Sequence, residues 1–290
     1  MKKYELTEET KTLDGGTVLH RIRALRDIRF ADGTAVKAGG LGGWIESEAN
    51  LSQEGSAWVS GAAEVYGDAQ VYGSAWVSGA AEVFGKARVF GKARVFGEAS
   101  VFGKAQVFGD ARVYGEAQVS GAQVYGSAEV YGSAWVFGKA SVFGKASVFG
   151  SARVYENAQV FGDAQVYGAA AVFGAARVTE SARVFGDARV SGEAEVYGEA
   201  EVSGEAEVYG EARVGENADY AVYKNTWSSM RWFTYTRSDR MWQAGCFRGT
   251  GAELIAKAYK DGEQSGRCYE AIVRAQEAID KAIEGKEEKR

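Results

Sequence analysis

Proline is absent from this 290-residue chain. Average usage would put it at about one residue in twenty. Proline lacks the N–H that a ladder needs and breaks regular strands, so its absence fits a backbone committed almost throughout to hydrogen bonds. Cysteine is nearly absent: Cys246 and Cys268 are the only two. That is too few for a disulfide framework, and a reducing compartment is expected. With no histidine near them, the pair is expected as buried small residues and not as metal ligands. Long apolar runs are missing, which excludes a membrane-spanning helix. The opening MKKYELTEETKTL carries two lysines without a following apolar stretch, so no signal peptide is expected. The net charge of −5 is mild and argues against broad phosphate binding, so nucleic acid is not the expected partner.

Glycine, in contrast, is abundant, with 39 residues placed on a strict period. From Ser56 to Glu216 the chain runs as 27 units, SAWVSG, AAEVYG, DAQVYG and onward to EARVGE. All are hexads except the pentad AQVYG at 122–126. Ala and Val fill their slots in all 27 units; Gly closes 24, with Glu156, Glu180 and Glu216 in the other three. Within a unit the apolar period is two, which excludes an α-helix. Ala-x-Val reads as a short strand with Ala and Val on one face. Glycine then turns the corner, because it reaches φ > 0 without steric cost. Three such edges make a triangular coil, and 27 units make nine coils, roughly 43 Å of stack at about 4.8 Å per coil.

The flanks lack the repeat. Residues 1–55, with TVLHRIRALRDIRF, TAVKAGG and a Gly-rich link GGLGGWIES, read as a β-rich cap over the open end of the solenoid (56–217). Residues 218–290 read as a small α+β domain. DYAVYKN, RWFTYTRSD and MWQAGCF are expected as three strands. Thr250 and Glu253 make a capping-box pair that starts a first helix. Ser265 is expected to cap a second helix, with Tyr269, Ile272, Ala275, Ile279 and Ile283 as its buried stripe and EGKEEKR as a solvated tail.

The unit V-x-x-x-A-x resembles the hexapeptide repeat of left-handed parallel β-helices over residues 56–216. The resemblance implies a mainly β fold, a single-stranded left-handed β-helix; physics alone leaves a right-handed solenoid open. YELTEETKT, HRIRALRDI, LGGWIESEANLSQEG, SAWVSG, GCFRGTGAELIAKAY and SGRCYEAIV together are similar to a group of phage and prophage proteins of the hexapeptide-repeat, polymer-forming type. That resemblance implies an accessory protein in a host cytoplasm or a virion. Its partner would be a host protein or a second copy of the chain.

Hexapeptide-repeat proteins include acyltransferases, which use a histidine base between coils. Here the only histidine, His20, lies outside the coils, and no loop interrupts the repeat. Without it there is no usual means of deprotonating an acceptor near neutral pH. His20 is expected as a surface or cap residue. No phosphate loop or cofactor motif appears. GTG at 249–251 precedes a helix and could attract an anion, but capping explains it without a ligand. Catalysis is therefore not expected, nor is a cofactor.

Three surface patterns remain. The slot after Val is Tyr or Phe in 20 of 27 units. Every third unit shares a face, so Tyr72, Phe90, Phe108, Tyr125, Phe143 and Phe161 line one stripe. This is either a self-contained ring ladder or a ladder that is also an interface. Glu193, Glu195, Glu199, Glu201, Glu205, Glu207 and Glu211 make the last coils acidic. Such an end could dock a basic partner or mimic a nucleic-acid backbone, as an anti-defence inhibitor would, unless it serves solubility or meets the basic segment that follows. That segment interleaves Arg231, Trp232, Tyr235, Arg237, Arg240 and Trp242, the composition of an anion groove or of a small core with a polar rim.

Overall fold

The Ala and the Val that fill the fixed slots of each unit are buried, at 1% exposure or less. The computed structural model describes residues 2–30 and 33–287. The corner glycines that close the units have φ between 64° and 77°. They are also packed tightly: a Cβ on Gly144 would lie 2.9 Å from Gly162 N and 3.0 Å from its carbonyl oxygen, both backbone atoms. Three parallel sheets result, each unit pairing with the unit one coil on. The first face begins at Glu64–Val65, the second at Gln70–Val71 and the third at Trp58–Val59.

The pentad does not break register. Gln106 faces Gln123 and Val107 faces Val124, so the missing residue is taken up at the corner. There Ser120 replaces the usual aromatic and extends its strand, Gln118–Ser120, pairing with Phe102 and Phe137.

The N-terminal part is more than a cap. Strands Tyr4–Thr12 and Val18–Ala24 pair antiparallel, and Leu41–Ile45 pairs antiparallel with the latter and parallel with Glu64–Val65. The segment expected as a Gly-rich link is thus the first strand of an additional coil. Leu51 bridges to Val71 on the second face, and the stack has about ten turns. Its glycines are there for close approach: a Cβ on Gly42 would meet the Ile22 side chain at 2.4 Å and the Val59 carbonyl at 2.7 Å. His20 is a half-buried residue of the middle strand, opposite Thr10 and Ile45.

The two ends of the stack are closed with opposite chemistry. At the N-terminal end, side-chain nitrogens serve edge carbonyls. Lys3 Nζ donates to Ala57 O (2.8 Å), and Asn50 Nδ2 donates to Gly67 O and Ala69 O (2.9 and 3.0 Å). Burial, with Arg26 nearby, lowers the Lys3 ammonium to about 8. At the C-terminal end, side-chain oxygens serve edge amides: Asn217 for Glu201, Thr234 for Glu207 and Ser238 for Arg213, at 2.7–2.8 Å. An unpaired edge invites another chain, and these contacts blunt it.

The C-terminal module has four antiparallel strands, not three: Tyr220–Lys224, Trp232–Thr236, Met241–Ala244 and Phe247–Thr250. MWQAGCF is split because Gly245, φ 58°, turns the chain back at Cys246. Helix α1 (Gly251–Asp261) carries the expected capping box: Thr250 Oγ1 accepts from Glu253 N, and Glu253 Oε2 accepts from Thr250 N. Helix α2 (Glu263–Glu287) starts directly after Gly262, so Ser265 lies inside it and is not its cap. It runs through Glu287 into the expected tail, and residues 288–290 lie outside the described residues.

The buried face of α2 is also rotated from the expected stripe. Val273, Gln276 and Asp280 are inside, Tyr269, Ile272 and Ile283 are half-buried, and Ala275 and Ile279 are exposed. Sheet tyrosines explain the rotation. The Tyr223 hydroxyl donates to Gln276 Oε1, and the Tyr235 hydroxyl to the Asp280 carboxylate, which also accepts from Gln276 Nε2. Buried hydroxyls need partners, and that demand outweighs the apolar pattern.

Candidate interaction surfaces

The Tyr72–Phe161 stripe forms as one ladder. Its six rings stack at 4.8–4.9 Å between centroids with planes within 4° of parallel. Contacting atoms sit about 3.5–4 Å apart, so this spacing means offset stacking, the favoured arrangement. Every ring is half-buried. The outward slot therefore does not give the aromatic wholly to water; the rings of the coils above and below cover it.

Sequence reasoning named one such stripe, but the third face carries a second of equal length. Phe96, Tyr114, Tyr131, Phe149, Tyr167 and Phe185 stack there, Phe96–Tyr114 at 4.8 Å and Tyr167–Phe185 at 4.9 Å. The same every-third-unit count would have found it. On the first face the ladder is cut at Ser120 and Ser191, leaving Tyr66–Phe84–Phe102 and Phe137–Tyr155–Phe173. Burial raises the phenols of Tyr66 and Tyr114 in their ladders. With Glu82 beside it, Tyr66 is pushed up to about 12, and Tyr114, next to Glu129, likewise to about 12.

What distinguishes the second face is the column beside its ladder. The outward strand residues Gln106, Gln123, Ser141 and Gln159 are uncharged; before them Arg88 lies over the Tyr72 and Phe90 rings, and after them comes Arg177. The corresponding column of the third face runs Arg94, Arg112, Glu129, Ser147, Gln165 and Arg183, four of the six charged.

The seven acidic residues do not act as one patch. Those in strand slots are paired with the coil before or after: Glu195 with Arg177 and Arg213, Glu201 with Arg183, and Glu207 with Arg189. Glu193, Glu199, Glu205 and Glu211 sit on the corners, exposed and without an ion pair among the described residues. They ring the end of the stack instead of lining a side. The following basic segment does not neutralise them. Arg237 pairs with Asp219, Arg240 with Glu284 and Arg248 with Asp239, although Arg248 also lies 5.7 Å from the Tyr209 ring of the last coils.

The basic and aromatic set is likewise divided. Tyr235 and Trp242 are core residues, 4% and 2% exposed, packed with Phe233, Leu254 and Val273. Arg237 and Arg240 are engaged as above, and only Arg231 and Trp232 stand exposed together. The two cysteines correct the sequence expectation. Cys246 is exposed at the hairpin turn and Cys268 is half-exposed on α2; both are free thiols. Two features missed from the sequence are Glu156 and Glu180. They adopt φ near 60° in the glycine slot, and their carboxylates accept from the N–H of Gly174 and Gly198 one coil on, at 2.8 and 2.9 Å.

Comparison with known families agrees with this architecture. The family model described as YdcK Beta solenoid repeat matches residues 105–121, from the second-face strand Gln106–Val107 to Gly121, just before the pentad. No curated protein matches the chain. Among the described residues no helix is long and apolar enough to cross a membrane, and no cluster of three or more His, Cys, Asp or Glu could hold a metal ion.

Proposed function

We propose that this β-solenoid is a non-catalytic rod that pairs with a second copy of itself along the Tyr72–Phe161 face. The observation that carries the reading is the neutral column Gln106, Gln123, Ser141 and Gln159 beside the half-buried rings of Phe108, Tyr125, Phe143 and Phe161. An uncharged strip flanked by aromatics can be desolvated cheaply, and interface cores are depleted of charge and enriched in aromatics. Glutamine side chains offer both donor and acceptor, so a column of them is complementary to its own copy. The resemblance of the flanking segments to phage and prophage proteins supplies the context, an accessory protein acting by association. Light scattering at increasing concentration tests the proposal. The wild-type chain should associate, and Gln123→Lys with Ser141→Lys should return it to monomer. A strict monomer at high concentration contradicts it.

One observation favours a second reading, docking on a basic host protein as an inhibitor would. The corner residues Glu193, Glu199, Glu205 and Glu211 remain unpaired where the strand glutamates are neutralised. Capture of a host protein that survives lysine substitution of all four removes this reading.

A further inference from the structure

The C-terminal module contains a cavity of about 350 Å³ remote from both ladders, opening between the hairpin turn at Gly245–Cys246, α1 and the start of α2. We propose that it is a binding site for a carboxylate carried on a small apolar body. The argument rests on what the walls offer and what they leave unused.

The volume lies at the lower end of the range for small-molecule sites, about 300–1,000 Å³, and suits a group the size of one amino-acid side chain with its carboxylate. Trp232, Phe247, Leu254 and Ala258 supply apolar walls. Against them stands an excess of hydrogen-bond donors. Arg231 and Lys257 both line the cavity, and neither has an ion-pair partner among the described residues. Asp261 is the single acid among the lining residues, so the lining carries two cations and one carboxylate. The Tyr269 hydroxyl accepts from Asn225 Nδ2 at 3.1 Å, and its own proton has no acceptor among the described residues.

The cavity wall is built, not incidental. Asn225 is 2% exposed, and every valence of its amide is used. Oδ1 accepts from Ser228 N and Oγ, while Nδ2 donates to Ser228 Oγ and Tyr269 Oη. Its backbone N–H donates to Arg231 O at 2.8 Å, which closes the 225–231 loop and brings Arg231 to the cavity. Met230, immediately before it, is held at φ 56°, a left-handed conformation that a side chain other than glycine or asparagine takes at a cost. A Cβ placed on Gly245 would lie 3.5 Å from Arg231 Nη1, so the guanidinium lies along the hairpin turn.

A planar guanidinium fork matches a planar carboxylate. Phosphate is less well served, because it carries no apolar group to set against Trp232, Phe247 and Leu254. The apolar walls require the anion to carry an apolar group. Such a carboxylate occurs both in free small acids and at the C-terminus of a peptide ending in an apolar residue.

Isothermal titration calorimetry on the full chain tests the site. The probes are phenylacetate, its neutral amide, inorganic phosphate, and a tetrapeptide ending in Phe with its terminus free or amidated. Phenylacetate should bind saturably at one site, and the amide about tenfold or more weaker, the scale of one charge-assisted hydrogen bond. Arg231→Ala and Lys257→Ala should each weaken it severalfold. Both side chains are exposed, and unchanged thermal midpoints will verify the fold. Tighter binding of the free-terminus peptide than of phenylacetate identifies a chain terminus as the ligand; the reverse identifies a free acid. The proposal is overturned by no saturable binding of any carboxylate, by equal binding of acid and amide, by binding indifferent to both substitutions, or by phosphate displacing phenylacetate at equal concentration.

Discussion

Replacing Phe108 with serine removes two stacked contacts at once, to Phe90 and to Tyr125, both at 4.8 Å. Each cross-strand pair of this kind contributes about 0.2–1 kcal/mol. The ring is half-buried, so the lost burial adds about 1 kcal/mol, half of what a fully buried Phe provides. No closed cavity forms, because the slot opens to water, and a full-length unit accepts serine there, as Ser191 shows on the first face. The expected loss is therefore about 1.5–3 kcal/mol. Phe161 provides the internal control. Its ring meets only Phe143 in the ladder, since Thr179 stands in the next coil, so Phe161→Ser should be less destabilising by about one pair contribution, 0.2–1 kcal/mol. Urea unfolding followed by circular dichroism reads both, with hydrogen exchange at Gln106 and Gln123 reporting locally in case the stack unfolds in parts. Equal losses at the two positions, or a loss below about 0.5 kcal/mol at Phe108, would refute the claim that ring stacking holds the exterior together.

Other expectations follow from single contacts. Glu156→Ala keeps the strained left-handed corner and removes the carboxylate that Gly174 N donates to, so it should destabilise by about 1–2 kcal/mol; Glu156→Gly relieves the strain as it loses the bond and should be nearly neutral in the same unfolding assay. The pH dependence should show two opposite slopes. Lys3 has its folded value lowered to about 8, so between there and the ordinary 10.5 the unfolded chain binds more protons and stability rises with pH; Lys3→Met should flatten that rise in thermal midpoints. The ladder phenols Tyr66 and Tyr114 are raised to about 12, so their contribution is complete below pH 10 and is lost as pH climbs to about 12, with tyrosinate absorbance delayed to match. Asp280→Leu leaves the buried Tyr235 hydroxyl without its acceptor and should cost about 1–3 kcal/mol, detectable as a lowered urea midpoint.

The solenoid was legible because one geometric demand, a six-residue edge, recurs in every unit. Ala57 through Val214 are where alternation places them, and Tyr72 through Phe161 stack as the count of three predicts. The extra coil at Leu41–Val59 was not legible. There the chain needs glycine for close approach at Gly42 and Gly43, which removes the apolar signature a strand shows. The rotated face of α2 was hidden for a different reason. Gln276 and Asp280 read as polar surface until Tyr223 and Tyr235 arrive across the sheet to bond them. The pairing of the strand glutamates was not legible, because like charges adjacent in sequence sit beside arginines 18 residues away, one coil distant. Composition records the charge of a segment, whereas stacking decides which charges meet.

Cross-linking at the second face tests the central claim most directly. In a chain with Cys246→Ser and Cys268→Ser, a single cysteine at Gln123 should give a covalent dimer with a short bismaleimide, because the neutral column would face its copy across a two-fold axis. A cysteine at Ser147, outward on the third face, should stay monomeric. Equal yields at the two positions, or no dimer at Gln123 at concentrations where the chain is crowded, would contradict the account.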